Sequence, residues 1–219
     1  MHRLLRENGL SIVLAGMFVL AWAGQVAAGW SVFNDERLAH GLARIGLLAY
    51  LGSAQFLEAT AENWESEFLQ MAAYVVLTVF LYQRGSAESK DPDKIEAVDA
   101  DPAAAHTDPA APWPVRAGGW AMRLYQNSLS LAFLLLFLAA FVIHALSGAS
   151  LDNLQRREHG QAPQPFLDYL GGSQFWFESL QNWQSEFLAI LAMVVLSIFL
   201  RQKGSPESKP VAAPHRENP

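Results

Sequence analysis

Two glutamates beside apolar runs are the side chains whose type and spacing best suit chemistry. Glu67 lies four residues after Asn63, and Glu186 lies four residues after Asn182, so each Asn shares a helix face with its Glu. Further polar residues extend the first of these faces: Gln70, Tyr74 and Thr78. Because ionisable groups in membrane helices usually face the protein interior, Glu67 and Glu186 could line one shared site that binds a cation or carries protons.

A structural role for the same glutamates is the alternative. The apolar run behind each of them is short, which places the carboxylates near the headgroup boundary of a membrane. There they would be solvated or would pair with Arg37 or Arg156. The short run favours this second interpretation.

Two histidines raise the possibility of a metal site. His40 and His159, taken with Glu67 and Glu186, make a two-His, two-carboxylate set that suits zinc or a related divalent ion. However, both histidines directly precede a glycine, and no HxxxH or HxxE pattern places such ligands on one element. We therefore predict capping or turn roles for them, no metal and no cofactor. The full candidate polar site comprises Asn63, Glu67, Asn182, Glu186, His40, His159, Arg37 and Arg156.

An internal duplication organises the chain around these residues. The stretch NWESEFLQMAAYVVLTVFLYQRGSAESK begins at Asn63, and NWQSEFLAILAMVVLSIFLRQKGSPESK begins at Asn182, 119 residues later. The same offset holds without a gap back to Leu5 and Leu124. We interpret the chain as two tandem repeats. His144, in an apolar segment at the position that matches Gln25, is predicted to donate a hydrogen bond between helices, with a proton relay as the alternative.

Composition indicates a membrane protein. Of 219 residues, 52% are hydrophobic and only 16% are charged, and the apolar residues are concentrated in four blocks. No clustered basic face suits a nucleic acid. The absence of cysteine excludes disulfides, thiolate metal sites and cysteine nucleophiles.

The four apolar blocks predict an all-α membrane protein with four transmembrane helices in two parallel tandem repeats. The outer connections within the repeats should carry short interfacial helices. Repeat one covers 1–90 with spans at about 10–29 and 64–83, and repeat two covers 117–209 with spans at about 128–147 and 183–202. Residues 91–116 form a predicted disordered cytoplasmic linker, and 210–219 a disordered tail, because both are rich in polar residues, Ala and Pro.

The basic residues near the span ends predict the orientation. Arginine and lysine are more frequent around the termini and the linker than in the two outer connections, which places both termini in the cytoplasm. A secretory signal peptide is the alternative for the first block, since Arg3 and Arg6 precede it and Val26-Ala27-Ala28 resembles a cleavage site. The matching block at 128–147 is internal, which favours a span in both copies.

Several motifs together resemble a known family. The blocks NWESEF and NWQSEF, the turns QRGSAESK and QKGSPESK, and the HG and YLG elements are similar to bacterial integral membrane proteins known only as a domain of unknown function. The resemblance covers nearly the whole chain. It implies a four-span protein of the bacterial inner membrane, and it brings no assigned activity, cofactor or catalytic residue.

Two functions from different classes follow from these observations. The first, which we prefer on the sequence alone, is a non-enzymatic membrane protein that binds partners or organises a complex. The second is a small transporter or channel-like protein that uses Glu67 and Glu186 at the repeat interface. The expected partners are the lipid bilayer and either another protein or a second copy of the chain. The chain has no G-x-S-x-G, HExxH or phosphate-binding Gly-rich loop, so we predict no enzyme.

Overall fold

Helices and turns make up the fold of this protein in a computed structural model that describes residues 2–218. No β-strand occurs within this range, so the predicted all-α class is confirmed. The helices, in chain order, are α1 (His2–Ala39), α2 (Leu47–Leu51), α3 (Ala54–Phe80), α4 (Trp113–Ala117), α5 (Gly119–Tyr125), α6 (Ser128–Glu158), α7 (Phe166–Leu170) and α8 (Ser173–Phe199).

Three of these helices, α1, α6 and α8, are long and apolar enough to cross a membrane. They contain three of the four predicted spans, at 10–29, 128–147 and, up to Phe199, 183–202. The remaining predicted span, 64–83, lies in α3 up to Phe80. The first half of this helix carries four glutamates, Glu58, Glu62, Glu65 and Glu67, which lower its apolar character.

Helices α1 and α6 extend about ten residues beyond the predicted spans. The residues that we expected in polar connections, Arg37 and Arg156 among them, therefore lie in the last turns of long helices. The short helices that remain in these connections are α2 and α7, each of five residues, and a glycine follows each of them.

The described residues form two compact units, and α3 and α6 contribute to both. The first comprises the chain up to Thr60 together with Leu146–Pro163. In it, the buried Asn34 side chain holds the connection after α1: its Nδ2 donates to the Ile45 carbonyl (3.2 Å), and its Oδ1 accepts from the Ile45 amide (2.7 Å). Tyr50 of α2 lies buried between Phe33 and Phe56, with ring centroids 5.6 and 5.3 Å away.

The second unit comprises Ala61–Ala145 and the chain from Gln164 onward. The turns that follow α3 and α8 have the same conformation within it. Gly85 and Gly204 adopt φ values of 84° and 86°, the left-handed region that favours glycine after a helix. In each turn a serine hydroxyl accepts from a backbone amide: Ser89 from Gln83 (2.7 Å) and Ser208 from Gln202 (2.8 Å).

The chain beyond α8 folds back onto the first of these turns. Asn218 Oδ1 accepts from the Gly85 amide at 2.7 Å, and the buried Lys209 ammonium donates to three carbonyls between Pro214 and Glu217. Burial, together with the nearby charge of Arg201, lowers the pKa of Lys209. These contacts join the residues after α8 to the rest of the second unit, and the predicted disorder of 210–219 stays a prediction.

The segment between α3 and α4 contains two 3-10 turns, Ala97–Asp99 and Pro102–Ala105. The disorder of this segment remains a prediction. Its physical basis is that few of the residues are apolar, so burial cannot offset the entropy lost on ordering. We expect amides in 91–112 to exchange hydrogen at nearly the rate of a free peptide. Deleting 91–112 should leave the folded part intact. Strong protection of this segment in a hydrogen-exchange experiment would contradict the prediction.

Candidate proton-binding site

A histidine–glutamate pair lies at the centre of the second unit. The His144 imidazole of α6 donates through Nδ1 to Oε2 of Glu65 in α3, at 2.7 Å. Both side chains are 0% exposed. An unpaired buried charge is costly, whereas a hydrogen-bonded carboxylate and imidazole can share one proton between them. The hydrogen bond between helices that the sequence predicted for His144 is therefore present, and its acceptor is Glu65.

The second oxygen of Glu65 is also engaged. Trp183 of α8 donates through its indole Nε1 to Glu65 Oε1 at 2.9 Å. The carboxylate thus accepts from two helices at once, which fixes its orientation. The indole nitrogen of Trp183 therefore has an acceptor inside the protein.

Two more carboxylates approach the other side of the imidazole. Glu178 Oε2 lies 3.9 Å from His144 Nε2, and the other Glu178 oxygen accepts from Gln174 at 2.6 Å. A carboxylate oxygen of Glu62 lies within 4.8 Å of a ring nitrogen of His144, and Asn182 donates to Glu62 Oε1. Three acidic groups therefore surround one imidazole. The side-chain amides of Gln174 and Asn182 donate hydrogen bonds to two of them, Glu178 and Glu62.

Helical spacing explains why these residues converge. On α8, Phe175, Glu178, Ser179, Asn182 and Trp183 occupy positions i, i+3, i+4, i+7 and i+8, which form one helix face. On α3, Glu62 and Glu65 are three residues apart and share a face in the same way. The site is thus assembled from one face each of α3 and α8 and from one residue of α6.

Aromatic rings enclose the site. Phe175, which is 0% exposed, lies with its ring centroid 4.9 Å from that of His144. Three further rings pack against Phe175 at centroid distances of 5.5 to 5.7 Å: Phe141, Tyr169 and Trp176. An apolar shell lowers the local dielectric constant and strengthens the hydrogen bonds inside it.

The glutamates that the sequence singled out lie beside this site. Glu67 is exposed and Glu186 is half-buried, close enough for their charges to repel. Gln70 of the predicted polar face donates to the Glu186 backbone carbonyl at 2.8 Å, which joins α3 to α8. Asn63 is exposed, whereas Asn182 belongs to the buried cluster through Glu62.

The other four predicted site residues have local contacts at the ends of α1 and α6. His40 Nδ1 donates to the Glu36 carbonyl at 2.9 Å, and His159 Nδ1 to the Gln155 carbonyl at 2.8 Å, as capping residues do. Arg37 donates to the Ala43 carbonyl at 2.8 Å. Arg156 pairs with Asp152 at 2.8 Å.

Sequence reasoning missed three glutamates of this site: Glu65, Glu62 and Glu178. For Glu65 a signal was present. The usable signal was the difference between the two copies: the position of Glu65 carries Gln184 in the second copy, and the position of His144 carries Gln25 in the first. An ionisable residue thus replaces a neutral amide at both positions. Because each copy of the repeat has an ionisable residue where the other copy has glutamine, the two ionisable residues indicate one pair between the copies.

The chain belongs to a family that has been defined without an activity. Residues 1–218 match the family described as Domain of unknown function (DUF6766). Comparisons with curated proteins and with solved structures gave no match.

Proposed function

We propose that this protein is a small, non-enzymatic proton transporter of the bacterial inner membrane, with four spans in two tandem repeats. The carrying observation is the Glu65–His144 pair, which is 0% exposed and joins α3 to α6 at 2.7 Å. Ionisable groups are expensive within membrane helices and usually serve ion or proton pathways. Of the two functions that the sequence suggested, this geometry favours transport, but through Glu65 rather than through Glu67.

The side-chain directions on α3 support a fourth span. Its polar residues Glu65, Ser66 and Gln70 are buried, whereas the apolar residues Leu77, Val79 and Phe80 are exposed. A helix with this distribution can face lipid while its polar atoms point at protein. Its apolar part, 68–80, covers about 20 Å at about 1.5 Å per residue, so the glutamates lie towards the outer end of the span.

The imidazole can pass a proton across its ring. A proton bound at Glu178 transfers to His144 Nε2, and the Nδ1 proton moves to Glu65 Oε2, so one proton enters and one leaves. The 3.9 Å gap on the Glu178 side must close slightly for the first transfer. The site resets when Glu65 loses its proton and the imidazole ring turns over, which returns the N–H to the side of Glu65.

The topology is tested by reporter fusions. We expect cytoplasmic signals from reporters placed after Lys90 and after Lys209, and a periplasmic signal from one placed at Gly41, because basic residues concentrate near the former two. Paired alkaline phosphatase and green fluorescent protein fusions measure this. A periplasmic signal at Lys90 would overturn the four-span arrangement.

Proton transport is tested in liposomes of phosphatidylcholine and phosphatidylglycerol that contain the pH dye pyranine. We expect the protein to dissipate an imposed pH gradient several-fold faster than protein-free vesicles do, and His144→Gln to abolish the difference. The variant Glu67→Gln tests whether the proton pathway uses Glu67 or the Glu65–His144 pair, and we expect it to transport protons as the wild type does. Loss of transport in Glu67→Gln but not in His144→Gln would contradict our assignment, as would wild-type rates equal to those of empty vesicles.

A partner-binding role is the second candidate, and one observation favours it. None of the residues in the most apolar window of α1 is buried within the structure. Such a helix contacts either lipid or another chain. A molar mass above that of one chain in detergent, measured by light scattering, together with absent proton transport, would favour the partner role.

A further inference from the structure

We infer that the turn after α8 binds an asparagine side chain, and that this asparagine comes from the segment 210–218 of a second copy of the chain. The site is the second turn, residues 202–209, which repeats the sequence pattern of the first turn, residues 83–90 after α3. The inference goes beyond the proposed function, because it concerns self-association and uses none of the residues that surround His144.

The first turn shows how such a site holds its ligand. Oδ1 of Asn218 accepts from the Gly85 amide at 2.7 Å, and the Asn218 side chain is buried. Its Nδ2 faces four backbone carbonyls at 2.8 to 3.2 Å, those of Gln83, Ser86, Ser89 and Lys90. A carboxamide offers an acceptor and two N–H donors on one carbon, which matches this arrangement. The first turn is therefore a site built for an asparagine side chain.

The second turn has the internal hydrogen bonds of the first. The Ser205 amide donates to the Gln202 carbonyl at 3.2 Å, as the matching amide does in the first turn. The Glu207 amide donates to Ser205 Oγ at 3.2 Å. Ser208 Oγ donates to the Lys209 carbonyl at 3.2 Å, and the counterparts of these two bonds are both 3.1 Å. Together with the glycine φ angles of 84° and 86°, these bonds give both turns one backbone conformation.

The second turn is open where the first is filled. The five residues that match the partners of Asn218 all line one cavity of about 880 Å³: Gln202, Gly204, Ser205, Ser208 and Lys209. The Gly204 amide donates to no acceptor among the described residues, and a methyl group at Gly204 would meet no atom within 4 Å. At Gly85, by contrast, a methyl group would collide with the His215 carbonyl oxygen of the docked segment. The second turn thus has room for the ligand that the first turn holds.

The ligand of the first turn identifies the occupant of the second. A second copy brings its own segment 210–218, which already fits a turn of this sequence and conformation. Ser86 Oγ lies 2.8 Å from Ser197 Oγ, in the last turn of α8, so both turns lie at the same end of the second unit. In the proposed topology this end is cytoplasmic in every copy, which lets one copy reach the turns of its neighbour. Because each chain has one Asn218 and two turns, docking within the chain competes with docking between chains.

The test is titration of the detergent-purified full chain with a fluorescent synthetic peptide of residues 210–219. We expect fluorescence anisotropy to show one bound peptide per chain. A peptide with Asn218→Asp keeps the shape but loses the donors to the four carbonyls, so it should bind at least about tenfold more weakly. Gly204→Ala places a methyl group in the cavity and should abolish binding. Gly85→Ala introduces the same change at nearly the same φ in the first turn only, and it should bind the peptide as the wild type does.

Self-association of the chain is measured by light scattering over a range of protein concentrations. Gly85→Ala expels the segment from its own first turn, so the dissociation constant between copies should fall by about tenfold. Adding Asn218→Asp to this variant should reverse the effect. Failure of Gly85→Ala to strengthen self-association would overturn the second copy as the occupant.

The peptide titration decides whether the second turn is a site at all. No binding by the wild type, or equal binding by Gly204→Ala, overturns it, as does binding that is lost only in Gly85→Ala. If Gly204→Ala aggregates, the two peptides decide, because they test the same contacts without changing the chain. Proton transport in liposomes is measured separately, so loss of this site leaves the proposed function standing, and the reverse also holds.

Discussion

Glu65→Ala is expected to lower the free energy of unfolding by about 3 kcal/mol. The carboxylate is 0% exposed and accepts from both His144 and Trp183, so its removal takes the acceptor away from the buried His144 and the half-buried Trp183. The substitution also removes the hydrogen bonds that join α3 to α6 and to α8 through this side chain. Unfolding in mixed micelles with increasing sodium dodecyl sulfate, followed by circular dichroism, measures the change.

Glu67→Ala is the matched control for this substitution. It removes the same side chain two residues further along α3, but Glu67 is exposed. We expect a change of about 0.5 kcal/mol or less, as at other exposed positions. Equal losses from the two substitutions would mean that the buried cluster does not hold the three helices together.

Phe175→Ala should cost about 3 kcal/mol of stability as well, for a different reason. Its ring is 0% exposed and lies between His144 and the rings of Phe141 and Tyr169. Truncation leaves a cavity that these rigid neighbours cannot fill. The same unfolding titration measures the loss, and a weaker hold on His144 should also slow proton transport.

Phe177→Ala provides the corresponding control. Phe177 lies two residues along α8 and is 64% exposed, so truncation there opens no cavity. We expect its unfolding midpoint to stay near that of the wild type. A large loss at Phe177 and a small one at Phe175 would show that the face of α8 assigned to the interior is the wrong one.

The sequence alone determined the helical class and the positions of three long apolar helices. Blocks of about twenty apolar residues between polar segments have few alternatives to a helix, since every backbone amide must be bonded where water is absent. Histidine followed by glycine likewise predicted helix ends at His40 and His159, because the signal is local.

The tertiary structure decided which glutamate lies inside. Glu65 and Glu67 differ by two residues, or about 200° around a helix of 3.6 residues per turn, so they point in nearly opposite directions. The apolar run beyond them does not reveal which direction faces α6 and α8. The partners of Glu65, His144 and Trp183, are 79 and 118 residues away in the chain, and only packing of the helices brings them together.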